Sequence, residues 1–91
     1  MKQDAAFFGE GRAELVYIAK RLDNALRLEA ALTAAGVDYV VEADNYRGGI
    51  IFQSERVGAF FYVLPEAVEA AQQVMLRHGF KPQEPVEPDS P

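Results

Sequence analysis

One plan occurs twice in this chain: a short apolar strand, a helical run of small and aliphatic residues, a glycine, and then an apolar residue. In the first copy AELVYIA at 13–19 leads to a helix ending AAGV. In the second, AFFYVL at 59–64 leads to a helix ending RHGF. An amphipathic helix that follows a strand buries its apolar stripe against the sheet it came from, so the plan calls for helices layered on a sheet. With 91 residues there is room for one domain and a small core.

The first strand is expected over 13–19, with Asp23 as helix N-cap, because its carboxylate can accept the free amide hydrogens of the first turn. The first helix then runs from Asn24 to Ala35, with Ala25, Leu28, Leu32 and Ala35 on one face. Gly36 stands where a left-handed residue ends a helix, and Val37 can fold back on Leu32. VDYVVEA at 37–43 reads as the second strand. Asp44, Asn45, Gly48 and Gly49 make the following stretch a loop, IIFQ at 50–53 a strand extension, and SERVG a turn. AFFYVL is the third strand. Pro65 suits the first helical position, and Glu66 and Glu69 suit the positive end of the second helix. That helix runs to about His78 and buries Ala67, Val68, Ala71, Val74 and Met75, with Gly79 and Phe80 repeating the first ending. Residues 1–12 have no clear period and form an N-terminal segment, with Phe7 and Phe8 unplaced. Residues 13–81 form the domain, and 82–91 a Pro-rich acidic tail.

This order gives an α+β fold, a ferredoxin-like βαββα(β) sandwich with an antiparallel sheet, two helices on one face and a stub of a last strand at 80–82. Alternation sorts the strand side chains into two sets. Val16, Ile18, Val40, Phe61 and Val63 are purely apolar and are expected under the helices. Leu15, Tyr17, Tyr39, Val41, Phe60, Tyr62 and Leu64 include three tyrosines, whose hydroxyls need polar partners, and are expected on the open face. A greasy open face marks an interface, so the expectation is a homodimer or higher oligomer through those seven residues.

Composition narrows the chemistry. The chain has no Cys and one His, which excludes disulfides, thiol catalysis and multi-histidine metal sites. No cofactor or metal is expected. A net charge of -5 disfavours nucleic acid as a partner. No apolar run approaches the ~18–20 residues of a membrane span and no signal-peptide pattern opens the chain, so no membrane partner and a cytoplasmic setting are expected. His78, on the apolar side of the second helix, reads as a packed histidine at a helix end rather than a catalytic group. Arg47-Gly48-Gly49 precedes a strand and lacks the Lys-Ser/Thr ending of a phosphate loop. RVGAFFYV and LVYIAKRL resemble RNA-recognition stretches weakly, which leaves an RNA-binding sheet as a lesser alternative. Acylphosphatase-like chemistry would need a Gly-rich loop after the first strand, where this chain has AKRLDN. The loop carrying Glu42, Asp44, Asn45, Tyr46 and Arg47 is the most varied polar stretch between core strands and the candidate ligand site. Pro82, Pro85, Pro88 and Pro91 fall on one edge of a polyproline II helix, in a tail expected to add nothing to the fold.

Two stretches carry a family resemblance. Ala25, Leu28, Leu32, Ala35, Gly36 and Val37, and then Phe61, Val63, Pro65, Glu66 and Ala70 or Ala71, resemble the helix ending and the V-x-V-P-x-E stretch of small bacterial prokaryotic signal-transducing proteins. The resemblance spans about residues 15–79 and departs at the 44–58 insertion. It implies a ferredoxin-like fold grouped loosely with PII regulators, without their nucleotide-binding residues. The expected function is a non-enzymatic regulatory or protein-interaction module in signal transduction, acting as a homo-oligomer with an unidentified protein partner. The alternative is a small-molecule binding domain that uses the 44–49 loop and the tyrosine-bearing sheet face.

Overall fold

The computed structural model describes residues 1–4, 8, 12–48 and 54–81. The chain forms β1 (Lys2–Gln3), β2 (Glu14–Ala19), α1 (Leu22–Ala34), β3 (Tyr39–Gly48), β4 (Ser54–Val63), a 3₁₀ turn at Pro65–Ala67 and α2 (Val68–Arg77). The architecture is α+β, with two helices and a four-stranded mixed sheet in the order β1-β3-β4-β2. β4 runs antiparallel to both β3 and β2, and β1 runs parallel to β3. Thus β2 and β3, joined through α1, are parallel strands with β4 inserted between them.

Both glycine endings form as the sequence predicts. Gly36 and Gly79 have φ of 75° and 81°. The Val37 amide reaches back to the Leu32 carbonyl at 3.0 Å and the Phe80 amide to Met75 at 2.7 Å, the six-to-one bonds of a Schellman ending. The helix start differs from expectation. Arg21, not Asp23, holds the N-cap position. Asp23 lies in the first turn and accepts from Arg21 Nε at 3.2 Å, and that hydrogen bond draws its carboxyl below the usual range. On α1 the buried residues are Ala25, Leu28, Ala31 and Leu32, whereas Ala35 is exposed.

The middle of the chain is more extended than expected. The stretch read as a loop at 44–48 and the SERVG turn are the two arms of one ribbon, paired from Val40↔Tyr62 to Gly48↔Ser54. Turn-forming residues tolerate strand geometry when a partner strand supplies the ladder, and here each arm supplies the other. IIFQ and the tail lie outside the described residues. Phe80 and Lys81 are not in a strand, so the described part of the expected stub does not form. The N-terminal segment is part of the sheet: β1 lies alongside β3, Lys2 bridges to Glu29 at 3.4 Å, and Phe8 is buried. Among the described residues no helix is long and apolar enough to cross a membrane.

The core between sheet and helices contains Val16, Ala19, Tyr39, Phe61 and Val63 from the strands, and Leu28, Leu32, Ala71, Val74 and Met75 from the helices. The expected sorting of faces therefore fails in part. Tyr17, Tyr39 and Val41 belong under the helices, and Ile18 and Val40 on the opposite face. Two physical reasons account for this. First, buried hydroxyls do not require water if the helix supplies partners: Tyr39 Oη donates to the Glu29 carbonyl at 3.2 Å and stands 3.1 Å from Thr33 Oγ1. Secondly, the register of β2 against β4 shifts between Leu15 and Tyr17. This bulge inserts Val16 as an extra residue and sets Val16 and Tyr17 side by side on the helix face.

Candidate functional site

The face away from the helices is built from rungs of the ladder. Leu15, Tyr62 and Val40 stand in one row, and Ile18, Phe60 and Glu42 in the next. Asp44 pairs with Gly58 one further row along the ribbon. Leu15, Ile18, Phe60 and Tyr62 are half-buried, Val40 is buried, and Glu42 and Asp44 are exposed. The face is thus an apolar band with an acidic margin. Burial raises the Tyr62 hydroxyl above the ordinary tyrosine range, and the carboxylates of Glu42 and Asp44 add to the effect. Of the seven residues expected to form an interface, Leu15, Phe60 and Tyr62 are on this face. Tyr17, Tyr39 and Val41 are withdrawn into the helix-side core, and Leu64 lies just past the end of β4.

The described side chains of the candidate ligand loop, Glu42, Asp44 and Asn45, do not converge on one face. All five loop residues lie on β3, where the side chains of Asp44 and Asn45, as neighbours, project from opposite faces. Glu42 and Asp44 share the open face, while Asn45 belongs to the other and donates its backbone N–H to Asp44 Oδ1 at 2.7 Å. Tyr46 and Arg47 enter the ladder opposite Arg56 and Glu55, with their side chains outside the described ones. His78 is exposed rather than packed. Its carbonyl accepts from Arg27 Nη2 at 3.4 Å, and the same guanidinium lies 4.9 Å from the Phe80 ring centre.

A feature the sequence reading missed lies on the helix side. Ala19, Ala59 and Ala43 form one row across three strands, and Ala25 of α1 sits above it. Four methyl groups leave an open apolar groove of about 220 Å³ with Lys20, Arg21, Leu22 and Val57 among its lining residues. Leu22 and Val57 are exposed large apolar side chains. The sequence signal was available only as three alanines near strand ends, and the register is what aligns them. Comparison with family models, with curated proteins and with solved structures finds no match for this chain.

Proposed function

We propose that this chain is a non-enzymatic interaction module that works as a homo-oligomer, with a regulatory role of the kind its resemblance to small bacterial signal-transducing proteins implies. The observation that carries this reading is the apolar band of Leu15, Ile18, Phe60 and Tyr62, on the sheet face opposite α1 and α2. Soluble monomers rarely leave contiguous apolar patches of that kind in water. The split β2–α1–β3 unit with β4 inserted fits a ferredoxin-like sandwich with β1 added at the far edge. A cytoplasmic setting fits a chain without cysteine. Light scattering across micromolar to millimolar concentration tests the reading: a dimer or larger species is expected, and a monomer throughout overturns it.

The second reading is small-ligand binding. It moves from residues 42–47 to the alanine-floored groove, whose apolar floor and Lys20 and Arg21 margin suit an amphiphilic anion. Chemical shift perturbation at Ala19, Ala43 and Ala59 by a short-chain fatty acid supports it, and unperturbed shifts there remove it.

A further inference from the structure

We infer that a second copy of this chain pairs with the outer edge of β2, antiparallel and about a twofold axis, with the bulge at Val16 setting the register. The inference rests on the self-association proposed above and specifies where it occurs.

β2 is the last strand in the order β1-β3-β4-β2, so one side of its backbone faces away from the sheet. Among the described strands it pairs with β4 alone. The described chain after α2, as far as Lys81, forms no strand beside it. Phe80 instead turns its ring edge-on to Tyr17 at 5.4 Å between centres, on the helix side. Folded proteins blunt such edges with charge, proline or shortness. The opposite edge shows this: β1 has two residues, and Lys2 is one of them. β2 carries a charge only at its start, in Glu14, and a bulge at Val16, while Leu15, Val16, Tyr17, Ile18 and Ala19 are consecutive and uncharged.

What selects a second copy is that this strand is complementary to itself in one register. Its residues do not alternate evenly, since the bulge places both Val16 and Tyr17 on the helix side. Leu15 and Ile18 are on the open side, and Glu14 and Ala19 on the helix side. Residues opposed across a ladder must share a face. An antiparallel twin satisfies this for all six residues when Val16 opposes Tyr17, Leu15 opposes Ile18 and Glu14 opposes Ala19. A shift of one residue breaks the match for most of the strand. Charge agrees. Antiparallel pairing brings each Glu14 to the end of the twin strand where Lys20 and Arg21 follow Ala19, whereas parallel pairing would stack Glu14 on Glu14. The result is one eight-stranded sheet, with the Leu15 and Ile18 side chains of both copies joining the two apolar bands.

Because the chain has no native cysteine, disulfide trapping reads the register directly. The double variant Leu15→Cys with Ile18→Cys should give a covalent dimer on mild oxidation, because opposed Cβ atoms stand roughly 5 Å apart. Within one chain those positions are roughly 10 Å apart along the strand, too far to bridge. Each single variant should stay uncrosslinked for the same reason. Ala13→Cys with Lys20→Cys, two exposed positions in the same register, covers the case in which the first pair disturbs folding. A monomeric parent protein overturns both self-association and this pairing. A parent dimer whose double variants do not crosslink, or whose single variants crosslink equally well, overturns the edge pairing and leaves association through the sheet face standing.

Discussion

Tyr39, only 1% exposed, donates its hydroxyl proton to the backbone carbonyl of Glu29 across 3.2 Å. This bond, with Thr33 Oγ1 at 3.1 Å, ties the start of β3 to the last turns of α1. It is also what permits a tyrosine at the centre of an otherwise apolar layer. Tyr39→Phe keeps the ring, which stacks on Phe61 at 6.0 Å, and removes only the hydroxyl. The expected loss is about 1 kcal/mol, or roughly 4–8 °C in Tm for a domain this size, read by thermal denaturation. An unchanged Tm would mean that the hydroxyl is no better satisfied there than in water.

The same burial has a pH signature. Burial raises Tyr39 above its ordinary range, and Tyr62 likewise with help from Glu42 and Asp44. A tyrosine whose folded pKa lies above its unfolded value contributes its full stability below about pH 10, where both states hold the proton. As pH rises beyond that value the unfolded chain ionises first, and stability falls until the folded group ionises too. Urea midpoints measured from neutral to strongly alkaline pH should therefore drop more steeply for the parent protein than for a Tyr39→Phe, Tyr62→Phe double variant. Parallel curves would remove both tyrosines from the explanation.

Some of this was legible in the sequence and some was not, and the division is physical. The Gly36 and Gly79 endings are local events fixed within six residues, so the motif announces them. The helix stripes follow from spacing alone, apart from the exchange of Ala35 for Ala31 and from Ala67 and Val68, which are only half-buried at the start of the second helix. The sheet faces depend on which residues oppose each other, and the bulge at Val16 reverses the phase halfway along β2 without any mark in the letters LVYIA. Asp44, Asn45 and Gly48 look like a turn because their neighbours along the chain are all that sequence reading weighs. Their partners on β4 lie 6 to 14 residues away. β1 is two residues without pattern, held by pairing to β3.

The glycine endings support a clean test of backbone strain. A Cβ added at Gly36 or Gly79 would meet no atom within 4 Å, so crowding plays no part. The φ of 75° or 81° alone remains, which costs an L-residue roughly 1–2 kcal/mol. Gly36→Ala should lower Tm by several degrees, and Gly36→Asn by less, because asparagine tolerates the left-handed region better. If alanine and asparagine behave alike, the loss is not conformational.

Phe8, between β1 and β2 in the sequence, is buried. β1, β2 and β3 all run parallel, and the β2–α1–β3 crossover carries α1 on one face. Phe8 is 5% exposed, and among the described residues it and Val40 are the two buried apolar side chains outside the helix-side core. Phe8→Ala should therefore cost about 3 kcal/mol and lower Tm by upward of roughly 10 °C. A variant as stable as the parent would show that the N-terminal segment is dispensable to the domain.

Phe60 and Phe61 are neighbours on β4 with opposite fates, and together they separate folding from association. Phe61 is fully buried, with its ring 6.4 Å from Tyr17 and 6.0 Å from Tyr39. Phe61→Ala opens a cavity at the centre of the core and should cost about 3–5 kcal/mol, a large share of the ~5–15 kcal/mol that holds a small domain together. Phe60 opposes Ile18 and Glu42 on the open face and is half-buried. Its removal leaves less of a void in the monomer, so Phe60→Ala should cost under about 2 kcal/mol. It should also shift the protein toward monomer in light scattering, because its ring belongs to the apolar band. Denaturation and light scattering on the two variants give a two-way comparison. A Phe60→Ala loss as large as that of Phe61→Ala, with oligomeric state unchanged, would mean that the band is already covered within one chain and is core rather than interface.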